Sequence, residues 1–297
     1  MFQQGPQQAL ASLWDGGRFP HALLLEGACG SGKRTLALRA AALLLCRGEK
    51  PPCGDCLSCR KLEHGNHPDL TLVEPAGKTK SIGVDVIRAL RADAYVTPHE
   101  SSRRVFLIPN AQTMTVQSQN ALLKLIEEPP APAFFVLTAL SRGGLLETVR
   151  SRVTLLVMDE LSAPQRLEAL TALRPEADPV LLRVAAEGAD TVGQALAALE
   201  DPGAQQRFAD AQALLDAALA LDRYTILALL SGYEKDREGL LGLLETAKTA
   251  AVSRIGADSA LQILKIVAII EETMIPVRQN VGLPLVSAVF AGRVTRL

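Results

Sequence analysis

Apolar positions follow two different rhythms along the chain. In the first half, short apolar runs alternate with longer amphipathic stretches. HALLLEG (His21–Gly27) reads as a strand entering a glycine loop, and RVFLIP (Arg104–Pro109), AFFVLTAL (Ala133–Leu140) and VTLLVM (Val153–Met158) read as further strands. KRTLALRAAALLLC (Lys33–Cys46), GVDVIRALRADAYV (Gly83–Val96) and TVQSQNALLKLIEE (Thr115–Glu128) read as helices, the last stopped by Pro129-Pro130. A cysteine-rich insert and the run DLTLVEP (Asp69–Pro75) separate the first two helices. Strands separated by helices predict an α/β domain whose parallel sheet is covered on both faces.

Past Asp159 the rhythm changes to Ala and Leu at helical spacing. LSAPQRLEALTALRP (Leu161–Pro175) and DPVLLRVAAEGADTVGQALAALE (Asp178–Glu200) predict a small helical unit. DPGAQ, from Asp201, carries the Pro-Gly punctuation of a linker, and an all-helical region follows it. The expected division is residues 1–158, 159–202 and 203–297. The most apolar stretch, LQILKIVAIIEETMIPV (Leu261–Val277), is interrupted by Lys265, Glu271 and Glu272, so a buried helix is expected there and no membrane span.

Composition changes the picture little. A net charge of −1 on 297 residues gives the chain as a whole no electrostatic reason to seek nucleic acid or an acidic membrane. The opening MFQQGPQQALASLW lacks the basic start and apolar core of an export signal, which predicts a reducing, cytoplasmic setting.

Candidate chemistry starts at GACGSGKRTL (Gly27–Leu36). Gly27, Gly30, Gly32 and Lys33 fit the phosphate-loop pattern, whose backbone N–H groups converge on phosphate while the lysine neutralises it. Arg34 stands where the magnesium-holding hydroxyl belongs, and Thr35 follows one position late, about 100° further round the helix. Hydrolysis also needs an acidic pair at the end of a second strand. That position holds Pro109 and Asn110, so the loop is expected to keep the shape of a nucleotide site without hydrolysing; ATP and Mg²⁺ are doubtful ligands here. The bland alternative is a glycine turn of no nucleotide ancestry.

Cys46, Cys53, Cys56 and Cys59 form C-x6-C-x2-C-x2-C, with Gly54 and Asp55 as turn residues. Four thiolates at such spacing suit a structural Zn²⁺ site. An iron–sulfur cluster is the rival reading, although the C-x3-C-P continuation of one ferredoxin pattern is missing. His64 and His67 are near enough in sequence to be spare ligands or to pack the loop.

The run Asn120-Ala121-Leu122-Leu123-Lys124 with Glu127-Glu128-Pro129-Pro130, and the later Thr148-Val149-Arg150-Ser151-Arg152, resemble the clamp-loader branch of the AAA+ ATPases. His21-Ala22-Leu23-Leu24 before the loop and the four cysteines after the first helix agree with bacterial members. The resemblance is specific over about the first half of the chain. It implies an AAA+ domain with a zinc module at residues 46–59, a helical lid and a helical collar. It further implies a subunit of the DNA polymerase III clamp loader that works with gamma/tau motor subunits and a delta subunit to place a sliding clamp on primed DNA. In that family an arginine in a Ser-Arg-Cys motif completes a neighbour's ATP site. The motif maps onto Ser151-Arg152-Val153, with Val153 departing from the usual cysteine and Arg150 as a second candidate. Without the resemblance, Arg152 reads as a surface arginine. Thr138 falls where the family places a nucleotide-sensing residue, or is an ordinary strand threonine. Lys124 either faces DNA phosphate or lies on a solvated helix face. Arg34 and Pro109-Asn110 align the chain with the non-hydrolysing subunit class; the alternative is an active gamma/tau-type ATPase.

Overall fold

A computed structural model describes residues 3–17, 19–73, 81–254 and 260–297. The chain divides into two compact units, Met1–Leu161 and Ser162–Leu297.

The first unit runs α1 (Gln4–Asp15), β1 (Ala22–Glu26), α2 (Lys33–Leu45), α3 (Leu57–Glu63), β2 (Leu70–Leu72), α4 (Val84–Ala94) and β3 (Arg104–Ile108). It continues with α5 (Val116–Glu127), β4 (Ala133–Ala139), α6 (Glu147–Arg150) and β5 (Thr154–Val157). All strand pairs are parallel, in the order β2-β3-β4-β1-β5. The run DLTLVEP supplies β2, while its last residues, Glu74 and Pro75, lie outside the described residues.

Side chains alternate across a strand with period two, so each inner strand feeds two cores. Leu24, Phe106, Ile108, Phe135 and Leu137 face one core together with Leu90 of α4 and Leu122 and Leu125 of α5. Leu23, Leu25, Val105, Leu107 and Val136 face the other with Leu36, Ala40 and Leu44 of α2. Every residue of β3 and β4 is buried, as expected of central strands in a parallel sheet.

Two buried polar side chains of this unit, Asp69 and Gln119, are matched by several partners each. Asp69, fully buried before β2, accepts backbone N–H groups from His99 at 2.6 Å, Glu100 at 2.9 Å and Ser101 at 2.8 Å. Burial alone would raise its pKa, but these donors outweigh it and hold the carboxyl below the usual range. Gln119 of α5 is buried as well. Its Oε1 accepts the Leu146 N–H at 2.7 Å, and its Nε2 donates to the carbonyls of Met114 and Gly144. One glutamine thereby fixes the chain that leads into α6.

In the second unit, α7 (Ala163–Leu173), α8 (Pro179–Glu187) and α9 (Val192–Glu200) share a core of Leu170, Leu182, Ala186, Ala195 and Leu199. A larger core joins α10 (Pro202–Leu219), α11 (Arg223–Ser231), α12 (Arg237–Ser253), α13 (Ala260–Arg278) and α14 (Leu283–Val294) around Leu214, Leu243, Ile266, Ile270 and Phe290. The stretch DPGAQ, expected as a linker, instead opens a helix. Asp201 ends α9 and caps α10 by accepting the Ala204 N–H at 2.8 Å, and Pro202 occupies the first turn, where no backbone donor is required. The apolar run from Leu261 lies in α13, with Ile263, Ile266, Ile269 and Ile270 buried. No helix among the described residues is long and apolar enough to cross a membrane.

Candidate functional site

Ligands in open parallel sheets bind beyond the carboxyl ends of the strands. Here that edge carries the glycine loop after β1, Pro109-Asn110 after β3 and Thr138 near the end of β4. Register places them side by side: Glu26 pairs with Ala139, and Ile108 with Leu137.

The loop has the backbone of a phosphate cradle. Gly30 and Gly32 take φ of 78° and 92°, a left-handed conformation that other residues adopt with strain, and Gly32 caps α2. Its lysine is turned inward, however. Lys33 is buried, and its Nζ donates to the carbonyls of Gly27 and Ala28, each at 2.7 Å. Burial pushes the Lys33 ammonium below the usual lysine range. Met158, just past β5, packs so closely that a Cβ on Gly27 would lie 2.8 Å from its own. Arg34 and Thr35, in the first turn of α2, are both exposed.

After β3, Asn110 has φ of 51° and is exposed; its backbone N–H donates to Thr138 Oγ1 at 3.1 Å. The buried Thr138 hydroxyl thereby accepts from this turn and keeps its own O–H as a donor. Asn110 and Pro109 offer no carboxylate. Glu26, closing β1, is an acid at this edge that sequence reasoning missed, and its Oε1 accepts the Arg142 N–H at 3.0 Å.

Ser151 and Arg152 follow α6 and are exposed. The Arg152 Nε lies 2.5 Å from Glu127 Oε1 at the end of α5. Its Nη1 donates to the Thr148 carbonyl at 3.0 Å and to Ser151 Oγ at 3.2 Å. Ser151 Oγ in turn donates to the Thr148 carbonyl at 3.1 Å. Arg150 is also exposed, as are Lys124 and Asn120, which lie one turn apart on α5.

The four predicted cysteines come together. All four Sγ atoms lie within 4.8 Å of one another, with Cys46–Cys53 at 3.5 Å, Cys46–Cys56 at 3.9 Å and Cys53–Cys59 at 4.0 Å. A tetrahedron of bonds about 2.3 Å long puts sulfurs roughly 3.8 Å apart, so the set can hold one metal ion. Backbone N–H groups of Gly48 and Cys53 point at Cys46 Sγ, that of Cys56 at Cys53 Sγ, and that of Cys59 at Cys56 Sγ. Gly48 was not part of the sequence pattern, yet any Cβ there would meet Cys53 Sγ at 2.7 Å.

Burial opposes ionisation of Cys56, but the N–H groups of Arg47 and Cys59 and the neighbouring thiols bring it down to about 6. Burial and the sulfurs of Cys56 and Cys46 push Cys59 up to about 12. Four thiols this close cannot all ionise without opposing charge, and a bound cation is what would stabilise all four as thiolates. His64 and His67 lie outside the group. His64 ends α3, and buried His67 accepts the Asp69 N–H on Nδ1 at 3.0 Å.

A glycine loop after the first strand of a β2-β3-β4-β1-β5 parallel sheet, followed by a helical region, defines an AAA+ type P-loop fold. The chain belongs to the DNA polymerase III delta' family. The family model described as "DNA polymerase III, delta subunit" matches residues 2–162. DNA polymerase III subunit delta' of Escherichia coli (strain K12) is 32% identical over 230 residues, which cover 75% of this chain and 68% of that protein. The same subunit of Yersinia pestis is 38% identical over 150 residues, 50% of this chain and 44% of that protein. The chain thus spans between about half and two thirds of the length of these relatives. DNA polymerase III subunit gamma/tau of Mycobacterium tuberculosis (strain ATCC 25618 / H37Rv) is 38% identical over 141 residues, 46% of this chain and 24% of that protein.

Proposed function

We propose that this chain is a non-hydrolysing clamp-loader subunit of DNA polymerase III that lends Arg152 to the ATP site of a neighbouring subunit. The observation that carries this reading is the contrast between its two cationic sites. Lys33 is turned onto its own loop, with Arg34 and Asn110 where a magnesium ligand and an acid would be needed, while Arg152 is exposed. A guanidinium supplied in trans stabilises charge developing on the γ-phosphate, an effect of about 10³-fold or more.

The neighbours in this reading are gamma/tau-type ATPase subunits and a delta subunit, and the assembly acts on a sliding clamp and primed DNA in the cytoplasm. Residues 1–158 form the AAA+ domain, 159–202 the lid and 203–297 the collar. In the test, the chain is mixed with its gamma/tau partner and primer–template DNA. Arg152→Ala should lower ATP turnover about 10³-fold without loss of assembly; unchanged turnover overturns the finger role. A second reading, an active gamma/tau-type ATPase, draws on the 38% identity to that subunit. ATP turnover by the purified chain alone, abolished by Lys33→Ala, would favour it.

Zn²⁺ is the ion assigned to the cysteine group. Sulfur separations of 3.5–4.0 Å for three pairs, and none beyond 4.8 Å, match ligands on one ion rather than on the separate irons of a cluster. Metal analysis of chain purified without chelator should give about one zinc per chain. Iron in its place, or no metal, contradicts the assignment.

A further inference from the structure

Glu127 ends α5, where the partial negative charge of the helix terminus disfavours a carboxylate. Its side chain reaches Arg152 Nε at 2.5 Å, and the two side chains are 42% and 39% exposed. Arg152 Nη1 is tied separately to the Thr148 carbonyl and Ser151 Oγ. Among the described residues no group is seen to accept from Nη2. A guanidinium is a rigid plane, so two acceptors on Nη1 and a carboxylate beside Nε together set the direction in which Nη2 points.

From this we infer that Glu127 is a positioning residue for Arg152: it holds Nε so that the Nη2 end is presented to the γ-phosphate on the neighbouring subunit. The inference rests on the finger role proposed above. Glu127 touches neither ATP nor the reacting phosphate and acts only through the arginine. An ion pair at this exposure is weak, so the benefit is orientation before the neighbour docks, not stability of the fold.

The experiment uses the full chain assembled with its gamma/tau partner, ATP and primer–template DNA, and compares Glu127→Ala, Glu127→Gln, Arg152→Ala and the double variant Glu127→Ala/Arg152→Ala. Glu127→Ala should lower kcat about tenfold while leaving KM for ATP and assembly within about twofold, because orientation is lost and nucleotide binding is not. Glu127→Gln keeps the size of the side chain but not the charge of the ion pair, and should lose rate as Glu127→Ala does. In the Arg152→Ala background, Glu127→Ala should have no further effect. If Arg152→Ala lowers turnover and Glu127→Ala does not, or if Glu127→Ala costs as much again in the double variant, the positioning role is wrong and the finger stands. If Arg152→Ala is itself without effect, the finger reading falls and this inference with it.

Discussion

Lys33 and Arg152 carry the same charge in opposite settings. Lys33 sits in the glycine loop with 8% of its surface exposed, and two carbonyls of that loop hold its ammonium. Arg152 follows α6 on the surface, with one carboxylate, one carbonyl and one hydroxyl as partners. A buried cation with two of its three donors taken up by its own loop has a structural role, and withdrawing it strands the acceptors it serves. An exposed cation in a weak ion pair costs little to release. The difference supports the proposal that Arg152, not Lys33, serves a nucleotide.

The comparison breaks most visibly in the assembled complex. Lys33→Ala should leave the partner's turnover within about twofold, against the loss of about 10³-fold expected from Arg152→Ala. Equal losses from both variants would mean that Lys33 still serves a nucleotide.

Asp69 extends the inward-turned class to an acid. Asp69→Asn should cost about 2–3 kcal/mol in urea unfolding, since three backbone donors lose a charged acceptor. Its carboxyl is depressed in the folded chain, so its stabilisation is fully present above the unfolded value of about 3.9 and is lost as pH falls through the lower folded value. The unfolding midpoint of the wild-type chain should therefore fall with acid over that window more steeply than that of Asp69→Asn.

Smaller effects separate the cations in the isolated chain. Lys33→Ala should cost about 1–2 kcal/mol, because the carbonyls of Gly27 and Ala28 turn to water that can reach the loop only in part. Arg152→Ala should change stability by less than about 1 kcal/mol. The reverse order of stability losses would place Lys33 among the available groups.

The strands and the cysteine group were legible in the sequence because their signals are local. An apolar run between turn residues marks a buried strand, and C-x2-C spacing marks a turn that gathers sulfurs. The groups that escaped notice depend on distant partners. Asp69 reads as a surface acid until His99–Ser101 fold over it, and Gln119 as any helix glutamine until Leu146 meets it. Glu127 looked like one of two adjacent acids before a proline pair; only the return of the chain at Arg152 distinguishes it from Glu128. DPGAQ misled because Asp-Pro-Gly serves equally as a linker and as a helix start, and local sequence does not say which.

Met158 gives the glycine loop a different standing. The backbone of Met158 donates to the Glu26 carbonyl at 2.8 Å, its side chain lies against Gly27, and β5 leads straight to it from the Arg152 turn. A strand only four residues long spans about 13 Å, a stiff strut hydrogen-bonded along one side to β1. At its far end it needs a seat, and the loop, closed on its own lysine, is shaped to be one. The glycine loop is thereby also the footing of the strand that leads from the Arg152 turn.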